Sequence, residues 1–201
     1  MNEFDLATIP GPLRWINGPK DWRLEQDGSL VIEAGRETDW FADPALDTIK
    51  DDAPAALFTT ADRDFTLSAK VTVEFASTFD AGVLQMRVSD THSGKLCFEY
   101  SPQGKPMIVS VVTRGRSDDC NSAVIDGNEV YLRVARLGKT IAFHYSEDGR
   151  WWHMVRYFTL GPVADFQAGF SSQSPTGRDC QVVFSEVVYV ARRLGDIRSG
   201  E

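Results

Sequence analysis

The chain is short of the residues that usually commit a protein to a chemistry. Of its 201 residues, three are cysteine and three are histidine. Cys97, Cys120 and Cys180 form an odd set with no CxxC spacing, which argues against a disulfide-stapled scaffold. Reduced thiols are the simplest state, with Cys97–Cys120 the one bridge left open. His92, His144 and His153 show neither HxH nor HExxH spacing, so no metal site is expected. GxSxG, P-loop and GxGxxG patterns are absent, which removes support for serine hydrolase, nucleotide and dinucleotide chemistry, and no cofactor is expected. No apolar run reaches 18 residues, the length a membrane-spanning helix needs. The opening MNEFDLATIPGPLRW lacks the basic start and apolar segment of a secretory leader. Basic residues are outnumbered 21 to 29, giving a net charge of −8 and a pI near 4.9. That balance argues against nucleic-acid and anionic-membrane partners, which need clustered Lys and Arg. The expectation is a cytoplasmic protein, monomer or homodimer.

What the chain has in quantity is turns and alternation. It carries 16 Gly, 9 Pro and 11% aromatic residues. Phe65, Leu67, Ala69, Val71, Val73 and Phe75 alternate without a break against Thr66, Ser68, Lys70, Thr72 and Glu74, the period of a half-buried strand. Asp27-Gly28, Asp126-Gly127 and Asp148-Gly149 sit between alternating runs and predict hairpins. Turn signals recur every ~8–12 residues, the rhythm of an all-β sandwich or jelly roll. A weak helical pattern covers Asp43 to Lys50, and the polar tail Leu194 to Glu201 is expected to fray. One domain over 1–201, with an ordered core of roughly 12–192, suffices for this length.

The centre of the pattern is Asp80 to Asp119, three strands joined by two tight turns. Leu84, Met86 and Val88 share one face; Val83, Gln85 and Arg87 share the other. Leu96, Phe98 and Tyr100 oppose Cys97 and Glu99 in the next strand. Met107 to Thr113 is a continuous apolar run, as in a strand covered on both faces. Paired as hairpins, these strands place Gln85, Arg87 and Glu99 on the side opposite the core. An Arg and a Glu in mid-strand are costly if buried unpaired. The reading is therefore an Arg87–Glu99 pair on a concave, ligand-facing sheet, with a plain wetted face as the alternative.

Several local patterns recur together: TDWF (38–41), DAGVLQMR (80–87), FEYSP (98–102), SVVTRGRSDD (110–119), VYLRVARLG (130–138), HYSEDGRWWHMVR (144–156) and AGFSSQSPTG (168–177). In that order, from about Trp15 to Phe184, the chain resembles a concanavalin A-like family of unknown function that includes fungal "regulation of enolase" proteins. The resemblance implies a lectin- or glucanase-like sandwich of two curved antiparallel sheets, and no assured activity. Relatives often carry an aromatic residue and a Lys shortly before the glutamate, where this chain has Leu96 and Cys97.

Sugar recognition needs aromatic faces for CH groups and planar polar side chains for hydroxyls. The candidate ligand-binding set is Trp40, Gln85, Arg87, Glu99, Arg114, Ser117, Asp118, Arg133, Tyr145 and Trp151. Arg133 alternates against Val130, Leu132 and Val134, so it is expected to face away from the apolar set, as Arg87 does. Ser117-Asp118-Asp119 reads as a polar loop at the rim. Of the adjacent Trp151 and Trp152, one is expected to pack inward. Hydrolysis needs two carboxyls flanking the sugar, and no E-x-D-x-E pattern exists. Glu99 is the lone catalytic candidate, with Asp39 or Asp118 as a loop-borne partner. The expected function is non-catalytic binding of a saccharide or small polyol. The alternatives are a glycoside-active enzyme using Glu99 as acid or base and a protein–protein regulatory module of carbohydrate metabolism.

Overall fold

A computed structural model describes residues 2–161 and 165–201. Among them every regular element is a strand. The N-terminal third holds β1 (Glu3–Phe4), β2 (Leu13–Ile16), β3 (Asp21–Leu24), β4 (Leu30–Ala34), β5 (Trp40–Ala42), β6 (Ile49–Asp51) and β7 (Ala55–Thr59). The middle holds β8 (Asp64–Val73), β9 (Ala81–Ser89), β10 (His92–Tyr100), β11 (Pro106–Arg114) and β12 (Arg116–Val124). The last third adds β13 (Glu129–Leu137), β14 (Thr140–Ser146), β15 (His153–Phe158), β16 (Gln167–Gln173) and β17 (Cys180–Val190).

Two large antiparallel sheets face one another. The first has the order β1-β2-β7-β16-β9-β10-β11-β12, the second β15-β14-β13-β8-β17-β4-β3, and β5-β6 form a separate ribbon. The alternation along β8 drives the packing: Phe65, Leu67, Ala69, Val71 and Val73 are all fully buried, whereas Thr66 to Thr72 between them are half-buried. From the first sheet Leu84, Met86, Leu96, Phe98, Ile108, Val112 and Phe170 meet them in one continuous cluster. Each fully buried Leu, Val or Phe contributes about 1.5–3 kcal/mol. Gly169 sets how closely β7 and β16 approach, since a Cβ there would lie 2.0 Å from the Ala56 carbonyl oxygen. Gly127 turns the β12–β13 connection at φ 89°, a region costly for any side chain.

Three local expectations are corrected. No helix forms at Asp43–Lys50, because the Asp43 carboxylate accepts from the Ala45 and Leu46 amides and closes a turn that competes with a helix. Arg116–Val124 is a strand paired with β11, not a polar loop. The tail does not fray: Leu194 and Ile197 pack on Ala135, Leu137 and Ala142, and Trp152 N donates to Gly200 O at 2.8 Å. The three cysteines are free, Cys97 and Cys180 buried and Cys120 exposed.

Candidate functional site

Strand β10 is the spine of the site. Its alternation sends Leu96 and Phe98 into the core and turns Lys95, Cys97 and Glu99 to the outer face of the first sheet. That face is not wetted: Lys95 is 3% and Glu99 9% exposed. The segment Thr38–Asp52 folds over it. Thr38 bridges to Ser174, Ala42 N donates to Ser117 Oγ at 2.9 Å, and Trp40 Nε1 donates to Ala53 O at 2.7 Å. Phe41 is thereby laid on Ala81, Val83, Cys97, Val109 and Val111, a second apolar cluster. This cover also explains the unbroken apolar run in β11.

Between cover and sheet remains a cavity of about 170 Å³, whose polar lining is Asp39, Lys95, Glu99, Asp119 and Gln173. Phe41, Phe79 and Val111 are its apolar walls. Phe79 is held at φ 70°, which costs a bulky residue about 1–3 kcal/mol. The surrounding turn enforces it: buried Asp80 accepts from Ala76 N and Ser77 N and takes the Ser174 hydroxyl at 2.7 Å, while Phe79 N donates to Tyr100 O at 2.7 Å. Strain sustained in this way is common at ligand sites.

The Lys95 ammonium donates to Asp39 Oδ1 and Gln173 Oε1, both at 2.9 Å. Burial alone would lower its pKa, but the charge of Asp39 and the hydrogen bond to it outweigh that, so Lys95 is held above its ordinary value. Glu99 is the opposite case. Burial pushes its carboxyl up to about 8; Lys95 opposes this, and Asp119 and Asp39 add to it. Glu99 is thus protonated at neutral pH, and it makes no side-chain hydrogen bond among the described residues. Burial also raises Asp119, against the pull of Lys95. Cys97 is raised well above the ordinary thiol range by burial, which leaves it unreactive. Among the described residues no group of three or more His, Cys, Asp or Glu is arranged to hold a metal ion.

The candidates scatter. Gln85 lies on the same face directly opposite Lys95 in register, fully buried with both amide atoms unpartnered. Arg87 does not pair with Glu99. Arg87 is opposite Ser93 and Glu99 opposite Ala81, six residues or about 20 Å apart along the sheet, and Arg87 instead contacts Gln167 and Asp90. Its expected place is taken by Lys95. Ser117 is buried on the site's face, where it anchors the cover. Asp118 points the other way and pairs with Arg156 Nη2 at 2.8 Å. Arg114 is exposed at the end of β11. Trp40 is half-buried, and its indole tethers the cover.

Arg133 and Tyr145 belong to the second sheet, away from Glu99. Arg133 lies under the tail, with Nη1 donating to Glu201 O at 2.9 Å and its guanidinium 4.3 Å from the Trp152 ring centroid. Tyr145 packs against the core and stacks on His153. Trp151 is 56% exposed in the β14–β15 turn, and Trp152 is the partly buried one.

Six lining residues lie outside the candidate set drawn from the sequence, Val111 among them as part of the apolar run in β11. Lys95 carried a signal, since Lys95, Cys97 and Glu99 are at i, i+2 and i+4 of one strand. Asp119 shares parity with Ser117 but was read as loop. Phe41, Phe79 and Gln173 arrive from distant segments, with nothing local to mark them.

Residues 15–191 match the family model described as "Protein of unknown function (DUF1349)". No curated protein matches the chain. Among solved structures, a functionally unknown protein from Saccharomyces cerevisiae shares 26% identity at a TM-score of 0.83, over 96% of this chain and 100% of that one. The GH43 BlXynB protein from Bacillus licheniformis shares 17% at 0.70, over 95% of this chain but 39% of its own length. The alginate lyase from Klebsiella pneumoniae shares 12% at 0.55, over 84% and 83%. The last two likenesses bear on fold alone. With the two facing antiparallel sheets they identify the architecture as the concanavalin A-like, jelly-roll β-sandwich that the sequence implies. The matched description carries no reference to enolase, so the resemblance narrows to a family of unknown function.

Proposed function

The chain belongs to the DUF1349 family, and from that premise we propose that it binds a small hydroxyl-rich ligand, one sugar ring or a polyol, in the cavity beside Glu99. The observation that carries this reading is Glu99 itself, nine-tenths buried, without a hydrogen-bond partner and lining a cavity. Its carboxyl opens onto the cavity and is not sealed in the core, so a ligand hydroxyl can reach and hydrogen-bond it. Asp119 and the Gln173 amide supply further acceptors and donors; Phe41 and Phe79 supply faces for sugar CH groups. The volume supports one ring rather than a chain: about 170 Å³ lies below the ~300–1,000 Å³ of pockets for drug-sized ligands. The same architecture occurs in proteins named GH43 glycoside hydrolase and alginate lyase, which favours a carbohydrate class.

A cavity of one ring leaves little room for two sugars joined through a scissile bond, so binding is preferred to hydrolysis. The protonated state of Glu99 does favour a second reading, in which it acts as a general acid with Asp119, the carboxyl that also lines the cavity, as its partner. Thermal-shift and calorimetric titration over monosaccharides and polyols tests the first reading. Some member is expected to raise the midpoint, with affinity falling about tenfold in Glu99→Gln while the ligand-free midpoint at pH 4.5 is unchanged. A panel with no binder sinks it. Turnover of an aryl glycoside that vanishes in Glu99→Gln establishes the second.

A further inference from the structure

The cavity sets three carboxyl groups, Asp39, Glu99 and Asp119, against one ammonium. That ammonium is already engaged: the Lys95 side chain is 4% exposed and held by Asp39 and Gln173. Among the described residues, none packed around Glu99 supplies a second cation. Across β9 stand Ala81 and Val83, and across β11 stand Met107 and Val109. On β10 the next outward groups are the Cys97 thiol and Lys95. From β12 and from the segment before β5 come Asp119 and Asp39, both of like charge. The walls Phe41 and Phe79 are aromatic, and an aromatic face attracts cations and not anions.

We propose, resting on the binding reading above, that the ligand carries an ammonium group, so that the site takes an amino sugar or amino-polyol in preference to neutral or acidic sugars, with Glu99 receiving the ammonium. The one ammonium of the site is already held by Asp39 and Gln173, and an ammonium on a hydroxyl-bearing ring supplies a second at Glu99 while leaving the ring for Asp119, Gln173 and the two phenyl groups. An acidic sugar would add a fourth carboxyl to a pocket whose one amine is occupied. In the empty cavity Glu99 holds its proton. Binding breaks its O–H bond, releases the proton to buffer and leaves a carboxylate against the ligand ammonium, an ion pair hydrogen-bonded in a water-poor site.

Isothermal titration at pH 6.5, in two buffers of different ionisation enthalpy, tests this with glucosamine, glucose, N-acetylglucosamine and glucuronate. Glucosamine is expected to bind at least about tenfold more tightly than glucose, with half to one proton released per site, and glucuronate most weakly. Glu99→Gln, which matches the uncharged carboxyl in shape, is expected to keep the fold while losing both the glucosamine preference and the proton release. Glucose binding as tightly as glucosamine, with no proton released, overturns the ammonium inference and leaves the polyol reading standing. Glucuronate as the tightest ligand also overturns it. Absence of binding by all four overturns both.

Discussion

The outer faces of the two sheets are both covered by segments of the same chain, and both bury a titratable group in its uncharged form. On the first sheet the cover is the β5–β6 ribbon and the group is Glu99. On the second it is the tail Leu194–Glu201 and the group is His144. The covers differ in what they offer. The tail presents backbone carbonyls: His144 Nε2 lies 2.9 Å from Ile197 O, which makes Nε2 the protonated nitrogen because a carbonyl only accepts, and Arg133 reaches Glu201 O. The ribbon presents Phe41 and leaves Glu99 without a partner beside a cavity. The tail satisfies one nitrogen of each group and leaves His144 Nδ1 and Arg133 Nε unpartnered among the described residues; the ribbon leaves the Glu99 carboxyl facing a cavity.

The two groups titrate with opposite sign. Glu99 is raised to about 8, so the folded chain holds a proton that the unfolded one releases above about 4.5. Its stabilisation is full below that pH and lost as pH rises through 8. Relative to Glu99→Gln, the wild type is expected to lose about 3 kcal/mol between pH 5 and pH 8, measured by urea unfolding; parallel curves would mean Glu99 is solvated. Deleting Gly195–Glu201 uncovers the Ala135–Leu137–Ala142 patch and strips Arg133 and His144 of their acceptors. A loss of about 3 kcal/mol is expected, with sugar affinity unchanged because the site is on the other sheet. A coupled loss of affinity would break the separation drawn here.

Burial, then the charge of Arg133, depresses His144 to about 4, against the pull of the Ile197 hydrogen bond. Here the unfolded chain binds the extra proton, so stability is lost as pH falls from 6.5 through 4. The wild type is expected to lose about 2 kcal/mol over that window relative to His144→Gln, read from midpoints at pH 6.5 and 4.5. The smallest effect concerns Phe79. Phe79→Gly relieves the positive φ but removes a wall and adds backbone freedom. The midpoint should shift by less than about 1 kcal/mol while ligand affinity falls; an unchanged affinity would remove Phe79 from the site.

Much of the sandwich was legible because strand alternation is local: Phe65 to Val73 declared a buried face in nine residues. The site was legible in Glu99 and in the loop-borne Asp39, both of which line the cavity. Glu99 stood out as a charge in mid-strand, but its partner was assigned to Arg87, a residue of the right sign and face at the wrong level. Side-chain period says which face a residue takes; register says which neighbour it meets. The β9–β10 turn at Asp90–Thr91, with the register shift between His92 and Ser93, puts Arg87 opposite Ser93, and neither feature is carried by the apolar pattern. Arg133 failed for a related reason. It does face away from the core, but on the other sheet, and parity cannot say which sheet a strand joins.

The order of residues along the chain settled the class of fold, the faces of β8, β10 and β11, and the outward direction of Lys95, Cys97 and Glu99, because each follows from a two-residue period and nearby turns. Whether an outward face met water, a ribbon or a tail depended on segments 53 to 94 residues away, such as Ile197 against His144, Asp39 against Lys95 and Gln173 against Phe79. Those pairings set burial, burial sets the charge of Glu99, and neither exists until the sheets close.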